Sequence, residues 1–200
     1  MEPTPRFIKH AAFALTLILA FAMLFGCAPS SEEPTPAPPA GMPVSTPEET
    51  KAPKIVPEFT STDLDGNEVD NTVFENADFT FINIWGTFCS PCINEMPDLG
   101  ELAAEYADKG VQFIGIVSDA SAETPDEIEL AKEIREYTGT DYLHILVSES
   151  LCDGMLKGVR SIPTSFIVNS KGKFVSKTLV GSRSKEDWKT FIDDTLEAQG

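Results

Sequence analysis

Two hundred residues, 42% of them hydrophobic and 24% charged, lie close to globular averages, which excludes a chain disordered throughout. The length allows one or two domains. A formal net charge of −17 repels polyanions, so nucleic acid is excluded as a natural partner and basic or neutral protein surfaces are favoured.

The chain opens with Arg6 and Lys9 ahead of a fifteen-residue apolar run, Ala11 to Phe25, interrupted only by Thr16. A charged start followed by such a run has the form of a secretory signal, and fifteen residues are short for a bilayer span. The run closes in Leu24-Phe25-Gly26-Cys27, which resembles the lipobox of bacterial lipoproteins, with Phe25 bulkier than that pattern prefers. The resemblance implies a signal peptide over 1–26 and lipidation of Cys27 as the mature N-terminus. The alternative is an uncleaved signal anchor with an incidental cysteine. Either arrangement places the rest of the chain outside the cytoplasm, attached to a membrane.

Between residues 28 and 57 lie nine of the fifteen prolines. Proline withholds backbone donors and keeps the chain extended, so residues 27–56 are expected to form a disordered, semi-stiff stalk. Residues 57–200 are expected to form one domain, long enough to bury a core.

Within it, Leu64-Asp65-Gly66-Asn67 signals a turn, hence a hairpin ahead of the first main strand. Phe79 to Trp85 is rich in β-formers and reads as a largely buried strand. A helix is predicted over about 91–106, with Met96, Leu99 and Leu102 at helical spacing. Val111 to Val117 is an almost continuous apolar run, typical of a parallel strand covered on both faces. Thr124-Pro125-Asp126-Glu127 predicts a helix start with an N-cap threonine and a capping-box glutamate. A strand is expected over 142–147 and a short helix around 151–157. Thr164 to Val168 is expected to pair through a Ser170-Lys171-Gly172 turn with Lys173 to Leu179. The last helix is expected from Ser184, with Trp188, Phe191, Ile192, Thr195 and Leu196 on its inner face. This order gives an α/β class with a central mixed sheet flanked by helices and an N-terminal β-hairpin extension.

Four cysteines are present, but the pair Cys89 and Cys92 is too closely spaced to staple a fold. Cys89-Ser90-Pro91-Cys92 falls between a buried strand and a helix start. Free N–H groups at a helix N-terminus stabilise a thiolate, the species that attacks a disulfide. Cys89 is therefore the expected nucleophile and Cys92 the residue that resolves the mixed disulfide. Pro91 stiffens the first turn at no cost in hydrogen bonds. A Cys-x-x-Cys pair is also half of many zinc sites, but no second pair exists and beyond the leader the chain has one histidine, His144. No metal or cofactor is expected. His144 reads as a packed or surface residue, and Cys152 as a lone buried cysteine behaving as a small hydrophobe.

The stretch from Trp85 to Pro97, Trp85-Gly86-Thr87-Phe88-Cys89-Ser90-Pro91-Cys92-Ile93-Asn94-Glu95-Met96-Pro97, resembles the active-site segment of the TlpA and ResA type of extracytoplasmic thioredoxins. The resemblance extends through Pro57-Glu58-Phe59, Asp63-Leu64-Asp65-Gly66 and Val159-Arg160-Ser161-Ile162-Pro163-Thr164. Phe88 departs from it, since these proteins usually carry tryptophan there. The resemblance implies a thioredoxin fold and a cis Ile162-Pro163 bond facing the cysteines, the alternative being a trans proline opening an edge strand. It implies supporting roles for Trp85 and Ile162, and a catalytic role for Glu95 beside Cys89, Cys92 and Pro163. Asn83 stands where cytoplasmic thioredoxins resemble one another in carrying a proton-transferring aspartate, work an amide cannot do. For Glu95 the bland alternative is a solvated residue at a helix start.

The activity implied is thiol-disulfide exchange, usually reduction of protein disulfides outside the cytoplasm. The partners implied are disulfide-containing clients such as apocytochrome c, and a membrane thiol transporter that supplies reductant. A peroxiredoxin-like peroxidase is disfavoured because Thr87 is two residues from Cys89, not three. A copper-binding assembly protein using the same thiolates is the alternative from another class.

Overall fold

The computed structural model describes residues 55–200. The expected leader, Cys27 and nearly all of the stalk lie outside the described residues.

Two apolar runs build the centre of a five-stranded sheet. They are β3 (Phe79–Trp85) and β4 (Val111–Val117), preceded by the short strands β1 (Thr60–Thr62) and β2 (Glu68–Asp70). β5 (Leu143–Leu146), β6 (Thr164–Asn169) and β7 (Leu179–Val180) complete the set, and the sheet order is β5-β4-β3-β6-β7. β3, β4 and β5 run parallel, which requires crossovers. Those are α1 (Ser90–Ala107) and α2 (Pro125–Thr138). β6 runs antiparallel to β3, and β7 to β6.

Period-two alternation sorts the side chains onto two faces. Ile82, Ile84, Ile114 and Ile116 join Val56, Phe59, Phe74 and Leu151 in one core cluster. Phe81, Phe113 and Trp188 form a second on the opposite face, under α1 and α4 (Lys185–Glu197). Trp85, Val117 and Leu146 continue that face beneath α1 and α2. The result is a mixed sheet between helices. Val56 is already 3% exposed and donates its N–H to the Gly172 carbonyl, so packing begins just before residue 57.

The N-terminal hairpin is present. β1 and β2 pair antiparallel, and the Asp63 carboxylate accepts from the Asp65 and Asn67 N–H groups across a turn in which Gly66 takes a φ of +87°.

Three expectations are corrected. The predicted pairing of 173–179 with β6 is only partial, with an isolated bridge between Val168 and Phe174. At the next position the Ser176 hydroxyl accepts the Ile167 N–H, replacing the ladder bond, and regular pairing resumes only in β7. The short helix predicted around 151–157 is α3 (Glu149–Asp153). It starts earlier because the Ser148 side chain caps it. Thr124 precedes α2 but makes no side-chain cap, since its hydroxyl accepts from the Ser121 N–H instead.

Candidate active site

Cys89 and Cys92 form a disulfide, 5.3 Å apart at Cα. Cys89 is the N-cap of α1, and Pro91 occupies the first turn. The Cys92 N–H points at Cys89 Sγ at 3.3 Å, so the helix end that would stabilise a Cys89 thiolate is aimed at the sulfur. Cys89 is 6% exposed and Cys92 fully buried, which leaves the first sulfur as the one a partner can reach. Further along, Pro97 lies inside α1 and withholds the N–H that would have bonded the Ile93 carbonyl.

The loop before Cys89 is fixed from two sides. The Thr87 N–H and hydroxyl both donate to the Asp119 carboxylate, the hydroxyl at 2.5 Å. A side chain at Gly86 would meet Ile162 Cδ1 at 3.0 Å and Ser118 Oγ at 3.1 Å. Ile162 thus packs against the cysteine loop, and Ile162-Pro163 is cis. The antiparallel register of β6 on β3 places Thr164 beside Ile84, which sets Pro163 at the cysteine end of the sheet.

Glu95 is not a solvated helix-start residue. It is 3% exposed. Oε1 accepts from Asn83 Nδ2 at 3.2 Å, while Oε2 accepts from the Arg183 backbone N–H at 3.0 Å and from Trp188 Nε1 at 3.1 Å. Burial pushes its carboxyl up to about 7 despite those three donors. Asn83 also donates to Ser165 Oγ at 3.0 Å.

His144 is buried behind Trp85. Trp85 Nε1 donates to His144 Nδ1 at 3.1 Å, and His144 Nε2 lies 3.1 Å from the Thr140 carbonyl, which fixes the neutral tautomer protonated at Nε2. Burial holds this imidazole down to about 4.

Beside the cysteines opens a cleft of about 340 Å³, lined by Phe88, Cys152, Leu156, Val159, Arg160 and Ile162. Phe88 is 73% exposed on its rim. Cys152 corrects an expectation, because it is exposed. On α3 its neighbour Leu151 takes the inward position, and the next residue of a helix turns away from the core. Among the described residues no three of His, Cys, Asp or Glu converge as metal ligands. No described helix is long and apolar enough to cross a membrane.

The sequence residues Trp85, Cys89, Pro91, Cys92, Glu95, Ile162 and Pro163 therefore gather at one end of the sheet. Sequence reasoning missed Arg183 and Trp188, which donate to Glu95, Asp119, which holds Thr87, and Ser165, which accepts from Asn83. Apart from the buried-tryptophan spacing of α4, no local signal marks them.

The chain matches the redoxin family over residues 49–192. The thiol-disulfide oxidoreductase ResA of Bacillus thuringiensis subsp. konkukian is 30% identical over 141 residues, covering 70% of this chain and 75% of that protein. A thioredoxin-family thiol:disulfide interchange protein from Chlorobium tepidum TLS superposes with a TM-score of 0.60 at 25% identity, over 72% of this chain and 97% of the other. StoA from Bacillus subtilis, 19% identical with a TM-score of 0.54 over 70% and 99% of the two chains, shares the fold.

Proposed function

Because the chain belongs to the redoxin family, as a thiol-disulfide oxidoreductase of thioredoxin fold, we propose that it reduces protein disulfides outside the cytoplasm through Cys89 and Cys92. The observation that carries this is the Cys89–Cys92 pair itself, one sulfur reachable and the other buried at a helix N-terminus.

The Cys89 thiolate attacks one sulfur of a client disulfide, forming a mixed disulfide and releasing the client's other sulfur as thiolate. Cys92, once deprotonated, attacks Cys89 Sγ. The client leaves with both sulfurs reduced and the enzyme holds the disulfide seen here, two electrons having passed to the client. A membrane thiol partner then restores the dithiol. The clients are disulfide-containing proteins such as apocytochrome c, which rest in the cleft beside Phe88 and meet the backbone at Ile162-Pro163. The lipobox-like Cys27 supplies a lipid anchor at the outer face of the membrane, with the proline-rich stalk as spacer.

A protein beginning at Pro53, which keeps Val56, should reduce insulin-type disulfides when supplied with a dithiol. Its reduction potential should lie near about −250 mV or lower, and a value near about −120 mV would make it an oxidant instead.

Glu95 takes the Cys92 proton in this scheme, one helical turn away on the same face. With its carboxyl raised to about 7, it is mostly protonated, and so unable to accept, below that pH, and becomes a base above it. The rate of resolution should therefore climb through about pH 7. Glu95→Gln should remove that inflection and slow resolution by roughly 10² at pH 8, while lowering the thiol pKa because a nearby negative charge is gone. Stopped-flow exchange rates from pH 5 to 9 measure this. Superimposable profiles would leave Glu95 without a catalytic part.

A further inference from the structure

Two buried side-chain atoms find no hydrogen-bond partner among the described residues, Asn83 Oδ1 and the Tyr142 hydroxyl oxygen. Buried polar atoms are nearly always paired, so each asks for a reason. They lie on one face of the sheet. Asn83, Gly115 and His144 stand side by side across β3, β4 and β5. In the neighbouring row of that face the Tyr142 ring stacks on His144 with centroids 4.6 Å apart and lies 5.9 Å from Phe113. Both hydrogens of the Asn83 amide are committed, to Glu95 Oε1 and to Ser165 Oγ on the β6 side. That leaves Oδ1 as the unused atom of the amide, on the same sheet face as Tyr142. Burial, and after it the charge of Glu95, raise the Tyr142 phenol above its ordinary range.

We propose that Tyr142 is the outer member of a relay in which its hydroxyl, one buried water and the Asn83 amide are hydrogen-bonded in series to the Glu95 carboxyl, making Tyr142 a positioning residue for the proton that Glu95 handles.

The relay reads in either direction. With Glu95 ionised, Asn83 Nδ2 donates to the carboxylate and Oδ1 accepts from the water that Tyr142 donates to. With Glu95 protonated, the amide turned by half a revolution accepts the carboxyl hydrogen and that of Ser165 at Oδ1, and presents Nδ2 to the water. The water then donates to the Tyr142 oxygen. Only a group that both donates and accepts serves the two states, and a hydroxyl is such a group. The site is polar and offers a water at least two partners, which is what a buried water needs.

The groups around Glu95 are Cys89 and Cys92 at the start of α1, Arg183 just ahead of α4 and Trp188 on it, Tyr142 just ahead of β5 and His144 on it, with Arg135 of α2 acting on His144. His144 is held down to about 4, Tyr142 is held above its usual range, and the cysteines carry no proton while disulfide-bonded. In the oxidised protein Glu95 is thus the member of this cluster that changes charge between about pH 5 and 9.

This inference rests on the proposed proton role of Glu95, and the test separates the two. Tyr142→Phe keeps the ring and removes one oxygen. In the oxidised full chain, the carboxylic C=O infrared band that disappears in Glu95→Gln reports the titration of Glu95. Loss of a donor chain that supports the carboxylate should raise its midpoint by about half a pH unit or more. An unmoved or lowered midpoint overturns the relay. So does a higher melting temperature with no change in titration, the result of deleting an idle hydroxyl. If Tyr142→Phe does not fold, the hydroxyl proton of wild-type Tyr142 is read by NMR: slow exchange with solvent supports the relay, and free exchange overturns it. A raised infrared midpoint in Tyr142→Phe, together with superimposable exchange profiles for the wild type and Glu95→Gln, would uphold the relay and reject the catalytic part of Glu95.

Discussion

Cys92→Ser should turn the enzyme into a trap. Cys89 remains at the helix cap with the residue-92 N–H aimed at its sulfur, so attack on a client disulfide still proceeds. Resolution stops, because a serine hydroxyl does not ionise at neutral pH and cannot displace the client thiol. Turnover should fall by on the order of a thousandfold or more, and client proteins should accumulate in covalent complexes that reductant dissolves. Cys89→Ser should abolish turnover without trapping anything, since the remaining sulfur is fully buried. The comparison belongs in a Cys152→Ser background, as Cys152 is an exposed thiol lining the adjacent cleft. Non-reducing gels and mass spectrometry of the captured peptides give the readout. Equal trapping by both variants, or preferential labelling of Cys92 by limiting alkylating reagent, would reverse the assigned roles.

The second large effect is expected far from any sulfur. A Cβ placed on Gly115 would lie 2.2 Å from His144 Nδ1, 2.8 Å from Cε1 and 3.0 Å from Trp85 Nε1. These atoms form the buried hydrogen bond that fixes the Trp85 indole, so the methyl of Gly115→Ala cannot be accommodated by a flexible side-chain end. Overpacking costs ~1–3 kcal/mol, and breaking a buried hydrogen bond adds ~1–3 kcal/mol. The melting temperature should drop by roughly 10 °C for a domain of this size. Activity should fall as well, since Trp85 packs in the same cluster as Cys89 and Cys92. Adding His144→Ala removes the two shortest contacts but leaves Trp85 Nε1 3.0 Å from the methyl and its N–H unpaired, so it should recover only part of the loss. That makes the pair strongly non-additive in a double-mutant cycle. A Gly115→Ala protein as stable as wild type would mean that β4 and β5 are not held in this register.

What could be read in advance follows from range. The order of strands and helices came from periodicity, and the redox pair from a Cys-x-x-Cys placed between a buried strand and a helix start. Those are local patterns. Gly115 was legible in principle, because a glycine inside an apolar strand marks a close approach, but the run Val111 to Val117 was read only as buried. The donors to Glu95 were out of reach: the Arg183 N–H and Trp188 Nε1 come from 88 and 93 residues further along. A backbone N–H carries no residue identity for sequence to reveal. Cys152 misled because rarity of exposure is a statistical trait of cysteine, whereas α3 is too short to have two inward positions side by side. The partial hairpin after β6 failed on one hydroxyl, Ser176, taking a bond that pattern assigns to the backbone.

The distances along the chain that hid the partners of Glu95 also set an order of events. Synthesis delivers Cys89 and Cys92 early, on a helix that needs only β3 and β4 to begin packing. Pro163, the Arg183 N–H and Trp188 arrive in the last fifth of the chain, and contacts across such long separations form late because the intervening loop must first be closed. A nascent chain therefore displays two thiols before it has the strand and helix that complete their surroundings. The buried surroundings of Glu95 are completed only when α4 docks, so a chain still folding carries its two thiols without them.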